Sequence, residues 1–79
     1  MPYIFQHRRQ ELAQGSAAES AGELNYLITM TCHAYMRRNG ISYQKYNDVI
    51  GALEGAKLEF YRRQVTPYED IKIKENGDV

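Results

Sequence analysis

The sequence predicts an all-α fold: an antiparallel two-helix hairpin with short flanking helices, associating with further copies of itself. Three observations lead there. Apolar residues recur at spacings of three and four through two long segments, Leu24 to Tyr35 and Tyr46 to Phe60, which is the period of one helix face. Ser20…Glu23 and Asn39-Gly40 bracket the first segment with a capping box and a stop signal. The stretch between the segments, Asn39-Gly40-Ile41-Ser42, is short enough to make neighbouring helices run antiparallel.

Residues 1–4 read as extended, because Pro2 has no N–H to give. From Phe5 to Gln14 the composition favours a short helix, with Gly15 as its stop. Its apolar content is Phe5, Leu12 and Ala13, so it needs tertiary contacts to persist. Residues 15–22 form a linker holding two overlapping capping boxes, Ser16…Glu19 and Ser20…Glu23. Ser20 is the better cap, since the apolar period begins at Leu24.

The next helix runs from about Ala21 to Arg38. Leu24, Leu27, Ile28, Thr31 and Tyr35 make one stripe, and Tyr26, Met30 and His33 a second. A helix apolar most of the way round is central in its fold or packs on another chain. A third helix starts after Ser42 and runs from Tyr43 to about Gln64, with the stripe Tyr46, Val49, Ile50, Leu53, Ala56 and Phe60. Thr66-Pro67-Tyr68-Glu69 then reads as a fresh capping box with proline at the first helical position. That favours a short separate helix to Glu75, although Ile71-Lys72-Ile73-Lys74 alternates like a strand. The whole is one small domain: an arm and linker over 1–21, the hairpin over 22–64 and a C-terminal segment over 65–79.

Composition narrows the function classes. The 79 residues carry 10 Lys+Arg against 10 Asp+Glu, a formal net charge of zero, which argues against a mainly electrostatic nucleic-acid binder. No apolar run reaches the ~20 residues of a membrane helix, and the N-terminal order of charge and apolar residues is the reverse of a secretory signal. The single cysteine, Cys32, leaves no intramolecular disulfide and suits a reducing cytoplasm. Seven tyrosines and the pairs Arg8-Arg9, Arg37-Arg38 and Arg62-Arg63 supply residues favoured at contact surfaces.

Gly51 and Gly55 sit one turn apart inside the third helix. Each costs about 0.5–1 kcal/mol relative to alanine, so a close approach there is expected, from the second helix of the same chain or from another molecule. Asn47, Gly51, Glu54, Leu58 and Arg62 share one edge of that helix. Together with Gly55, Tyr61 and Arg63 they form the candidate ligand- or partner-binding face, in which Arg62 could clamp a phosphate or carboxylate with its two-pronged guanidinium. The plainer reading is a solvated face with acid–base pairs one turn apart, such as Glu59–Arg63. Tyr26, Met30, His33 and Tyr35 are the candidate interface residues. Cys32 and His33 point about 100° apart on a helix, too far for a nucleophile and its base. Neither they nor any other group forms a metal-ligand pattern, and no cofactor motif or catalytic signature is present.

The segments Gly22-Glu23-Leu24-Asn25-Tyr26, Tyr46-Asn47-Asp48-Val49-Ile50-Gly51-Ala52-Leu53-Glu54, Lys57-Leu58-Glu59-Phe60-Tyr61-Arg62-Arg63, Pro67-Tyr68-Glu69-Asp70 and Glu75-Asn76-Gly77-Asp78-Val79 resemble a family of small uncharacterised proteins of bacterial, archaeal and phage genomes. The resemblance covers most of residues 22–79. It implies a phage or prophage setting and assigns no role to any residue. The expected function is therefore a non-enzymatic interaction or regulatory protein that binds another macromolecule, as a homo-oligomer and most simply a dimer. The first alternative is an oligomer that sequesters a small anionic, nucleotide-like ligand. The second is a nucleic-acid binder using Arg8, Arg9, Arg37 and Arg38.

Overall fold

The computed structural model describes residues 3–79; the extended start expected at Met1 and Pro2 lies outside them. Four helices and a π-helical turn follow in order: α1 (Gln6–Ala13), α2 (Ala21–Asn39), α3 (Tyr43–Phe60), the π turn (Tyr61–Val65) and α4 (Thr66–Asn76). The described residues contain no strand, so the chain is all-α. They divide into two compact units, Met1–Ser42 and Tyr43–Val79.

In the first unit Phe5 precedes α1 with extended backbone and no side-chain cap, and its carbonyl accepts the N–H groups of Arg8 and Arg9 at 3.0 Å each. The helix ends on Gly15, at φ 108°, where the Gly15 N–H reaches the Leu12 carbonyl and the Ser16 N–H the Glu11 carbonyl, both at 3.1 Å. That pair of bonds is a Schellman closure, and its positive φ is why glycine stands there. It also uses Ser16 as part of a helix end, leaving Ser20 to start the next helix. The Ser20 side-chain oxygen accepts the Glu23 N–H at 3.1 Å. The Glu23 carboxylate does not return the bond to Ser20; it accepts the Glu19 N–H at 2.9 Å, one residue earlier.

The apolar assignments near the N-terminus need correction. Ile4, read as part of an extended arm, is buried with Leu12, and these two are the buried hydrophobic residues of the described chain. Tyr3 and Ile4 lie in a turn and a bend. Phe5, counted with the apolar content of this segment, is 75% exposed and stacks on His7 with ring centroids 5.8 Å apart. α2 has Tyr26, Leu27, Met30, Cys32 and Met36 half-buried, while Leu24, Ile28 and Tyr35 of its first stripe remain exposed. Its end matches expectation: Asn39 donates its side-chain amide to the Tyr35 carbonyl at 2.9 Å, and the Gly40 N–H reaches the Met36 carbonyl at 2.9 Å.

The second unit is one continuous helical rod, where a break near Gln64 and a separate capped helix were expected. Thr66 does not cap: it has helical backbone (φ −60°, ψ −48°), and its N–H reaches back five residues to the Tyr61 carbonyl. The physical reason lies in Pro67. A proline has no N–H and its ring crowds the carbonyl four residues earlier, here Arg63. Widening the preceding turn to the i→i+5 pattern inserts one residue into the register and lets the helix pass the proline without stopping. Residues 71–74 are accordingly helical, and α4 closes with the Gly77 N–H on the Ile73 carbonyl at 2.8 Å. No residue of α3, the π turn or α4 is buried.

Candidate functional site

The polar centre of the first unit is Arg8. Its guanidinium donates to the Glu23 carboxylate at 2.8 Å and to the Ala17 carbonyl at 2.7 Å, and lies 3.4 Å from Glu19 and 3.7 Å from Glu11. The side chains of Arg8 and Glu23 are only 14% and 15% exposed. The hydrogen bond from Arg8 holds the Glu23 carboxyl below the usual carboxylate range, and the Glu19 N–H acts in the same direction. The same bond raises the Arg8 pKa. Arg8 thus ties α1, the connection and the first turn of α2 together. It is not free to meet a phosphate.

Beside this clasp, α1 and α2 enclose a shallow open depression lined by Gln6, Arg9, Gln10, Ala13 and Tyr26. The Arg9 Nε is shielded from solvent there and has no hydrogen-bond partner. Tyr26, expected at an interface, is therefore half-covered by α1 of its own unit. Met30 is also half-buried, whereas His33 and Tyr35 are exposed. Arg37 and Arg38 occupy the last turn of α2, where the helix dipole favours cations.

On the rod, the predicted binding face is open. Asn47, Gly51, Glu54 and Gly55 are all exposed. Beyond the helix's own backbone, a Cβ added at Gly51 or Gly55 would meet no atom within 4 Å. Glu54 lies 3.4 Å from Lys57. Arg62 and Arg63 both bond to the carboxylate of Glu59; the guanidinium offered as a clamp is engaged by its own helix. Tyr61 donates its hydroxyl to Glu69 at 2.8 Å across the π turn, and that bond raises the tyrosine pKa.

The Glu59–Arg63 pair was read from the sequence; that Arg62 shares the same carboxylate was missed, although its i+3 spacing carries the signal. Two further features escaped the sequence reading. The Tyr61–Glu69 bond follows only once the π register is known. The Arg8–Glu23 pair, 15 residues apart, has no local signal. Among the described residues no group of three His, Cys, Asp or Glu could hold a metal ion, and no helix is long and apolar enough to cross a membrane.

Comparison with curated proteins and with solved structures gives no match. A family model covers residues 1–79, the arm and the rod alike. The chain belongs to the family described as domain of unknown function DUF6899.

Proposed function

We propose that the chain is a small non-enzymatic interaction protein that binds another macromolecule and works as a homo-oligomer, most simply a dimer. The observation that carries this reading is its exposed apolar surface. Leu24, Ile28, Tyr46, Ile50, Leu53, Phe60, Tyr68 and Ile71 all stand between 37% and 65% exposed, in rows at helical spacing. Scattered surface hydrophobics need no explanation, but continuous rows mark contact surfaces. The subunit in this reading is an antiparallel hairpin of α2 and the rod, held in one domain, with part of both apolar rows turned to the partner. The single free thiol, Cys32, suits a reducing cytoplasm.

Native mass spectrometry of the untagged protein, purified gently from cells, tests this. An oligomer, or a complex with a second macromolecule, is the expected result; a bare helical monomer at micromolar concentration overturns the reading.

A second reading has one specific observation behind it. The unpaired, shielded Nε of Arg9 beside Tyr26 is where a small anionic ligand would gain a charge-assisted bond. Inorganic phosphate or a nucleoside phosphate should then raise the melting temperature, and Arg9→Gln should remove the rise. A melting temperature that ignores both ligands rejects it. The nucleic-acid reading loses support, because Arg8 already faces three carboxylates.

A further inference from the structure

We infer that the depression between α1 and α2 takes a nucleotide, with the phosphate on Arg9 and the base laid against Tyr26 and the amides of Gln6 and Gln10. The inference rests on the anionic-ligand reading above and names the class of ligand.

The two adjacent arginines of α1 have opposite surroundings. At about 100° per residue, Arg8 and Arg9 fall on either side of Leu12, which is buried. Seating Leu12 therefore sends one guanidinium to each flank. Glu11, Glu19 and Glu23 are the only acidic residues of the first unit, and all three lie within 3.7 Å of Arg8. Arg9 is left with no acid to meet. Its Nε is shielded from solvent and has no hydrogen-bond partner, and a donor held out of water without a partner is costly. The residue as a whole is half-buried, so its guanidinium stays within reach of a ligand entering the depression.

The other lining residues say what kind of anion fits. Gln6, Arg9, Gln10 and Ala13 recur at spacings of three and four, so they form one stripe of α1, and Tyr26 of α2 closes the opposite side. The depression holds about 370 Å³, inside the range of about 300–1,000 Å³ of small-molecule sites. At 1.5 Å per residue the stripe is about 10 Å long, enough for a base, a sugar and a phosphate laid along it. No carboxylate lines the depression, so nothing there repels the phosphate, and the guanidinium can meet it with charge-assisted bonds. Each glutamine amide offers a donor and an acceptor together. That is the complement of a nucleobase edge, as when glutamine pairs with N6 and N7 of adenine. Tyr26 supplies an aromatic surface for the base to lie against. A bare inorganic ion would use the guanidinium and leave the two amides and the ring idle.

Nuclear magnetic resonance on the full-length, isotope-labelled chain tests this through the side-chain Nε–H signals of its six arginines. Adenosine monophosphate and ribose 5-phosphate are the probes, because they differ by the base alone. Adenosine monophosphate should move the Arg9 signal, while that of Arg8, already bonded to Glu23, stays in place. It should bind about tenfold tighter than ribose 5-phosphate. Tyr26→Leu, checked for retained helicity by circular dichroism, should erase that advantage. Gln10→Ala, at an exposed helical position, should reduce it without disturbing the fold. Equal affinity of the two probes at Arg9 overturns the inference and leaves the anionic-ligand reading standing, and so does an advantage that survives both substitutions. An Arg9 signal that ignores both probes removes the inference and that reading together, whether or not Arg37, Arg38, Arg62 or Arg63 responds.

Discussion

Arg8 shows how much a single side chain can organise when the surrounding core is small. With Ile4 and Leu12 as the buried hydrophobics, the first unit relies on a guanidinium that reaches the carboxylates of Glu11, Glu19 and Glu23 and the Ala17 carbonyl. The Glu23 carboxyl is held below its usual range by Arg8, and the sign of the linkage follows. A depressed folded-state pKa contributes stability that is present above the ordinary glutamate value of about 4.3 and lost as pH falls through the lower folded value. The melting temperature of the first unit should therefore fall on acidification below about pH 4, and Glu23→Gln should flatten that fall while lowering the plateau at neutral pH. Thermal melts from pH 7 to pH 2 decide it; an unchanged acid limb in the variant would show that the clasp contributes nothing. The sequence made the caps around this clasp legible, because Ser20, Gly15 and Gly40 act on neighbours within a turn. It concealed the clasp itself, since nothing local marks Arg8 as the partner of a residue 15 positions on.

At the scale of the element, the rod shows how one proline can be read two ways. Thr66-Pro67-Tyr68-Glu69 has the residues of a helix start, and local propensity cannot tell a start from a widened turn in a continuing helix. The distinction depends on whether the chain bends back, and here it does not. The widened turn has a second effect. From Phe60 to Tyr68 an uninterrupted α-helix would rotate about 80° beyond whole turns, carrying Tyr68 off the Leu53 row; the one extra residue sets it back by about 100° and restores it. Pro67→Ala returns the missing donor and should let the α register run through. Helicity should rise, the stability gain should stay under about 3 kcal/mol, and amide exchange over residues 61–66 should slow. The same change should separate Tyr61 from Glu69. The raised Tyr61 pKa contributes stability present below about pH 10 and lost as pH rises through the folded value, so both Pro67→Ala and Tyr61→Phe should weaken the alkaline decline in helicity. The glycines belong to this scale too. With nothing within 4 Å of an added Cβ, Gly51→Ala and Gly55→Ala should each stabilise the helix by about 0.5–1 kcal/mol. Destabilisation in denaturant melts would reveal a close neighbour at that face, whereas stabilisation joined to loss of a macromolecular partner would mark the face as its docking surface.

At the scale of the whole molecule, the balance between ordered backbone and covered apolar surface is what the proposed association would improve. Helices shorter than about 12–15 residues are marginal alone, and a chain of this size buries only roughly 60% of its unfolded surface, which leaves a lone monomer marginal. The second unit buries no residue within itself, and the first buries two hydrophobics. The apolar periodicity that made the helices legible in the sequence also marks the rows that the proposed association would cover. What it could not identify was the partner, because a row at helical spacing is the same for a neighbour in the chain and for a second copy. Association has a thermodynamic signature that composition lacks. If folding is completed by pairing, the melting temperature depends on protein concentration, since mass action favours the paired state. Diluting the protein from about 100 to about 1 μM should therefore lower the melting temperature by several degrees, and Leu53→Asp should abolish that dependence while lowering the temperature itself. A melting temperature constant across dilution, with helicity intact, would mean that each chain folds without pairing, and would overturn the oligomer reading.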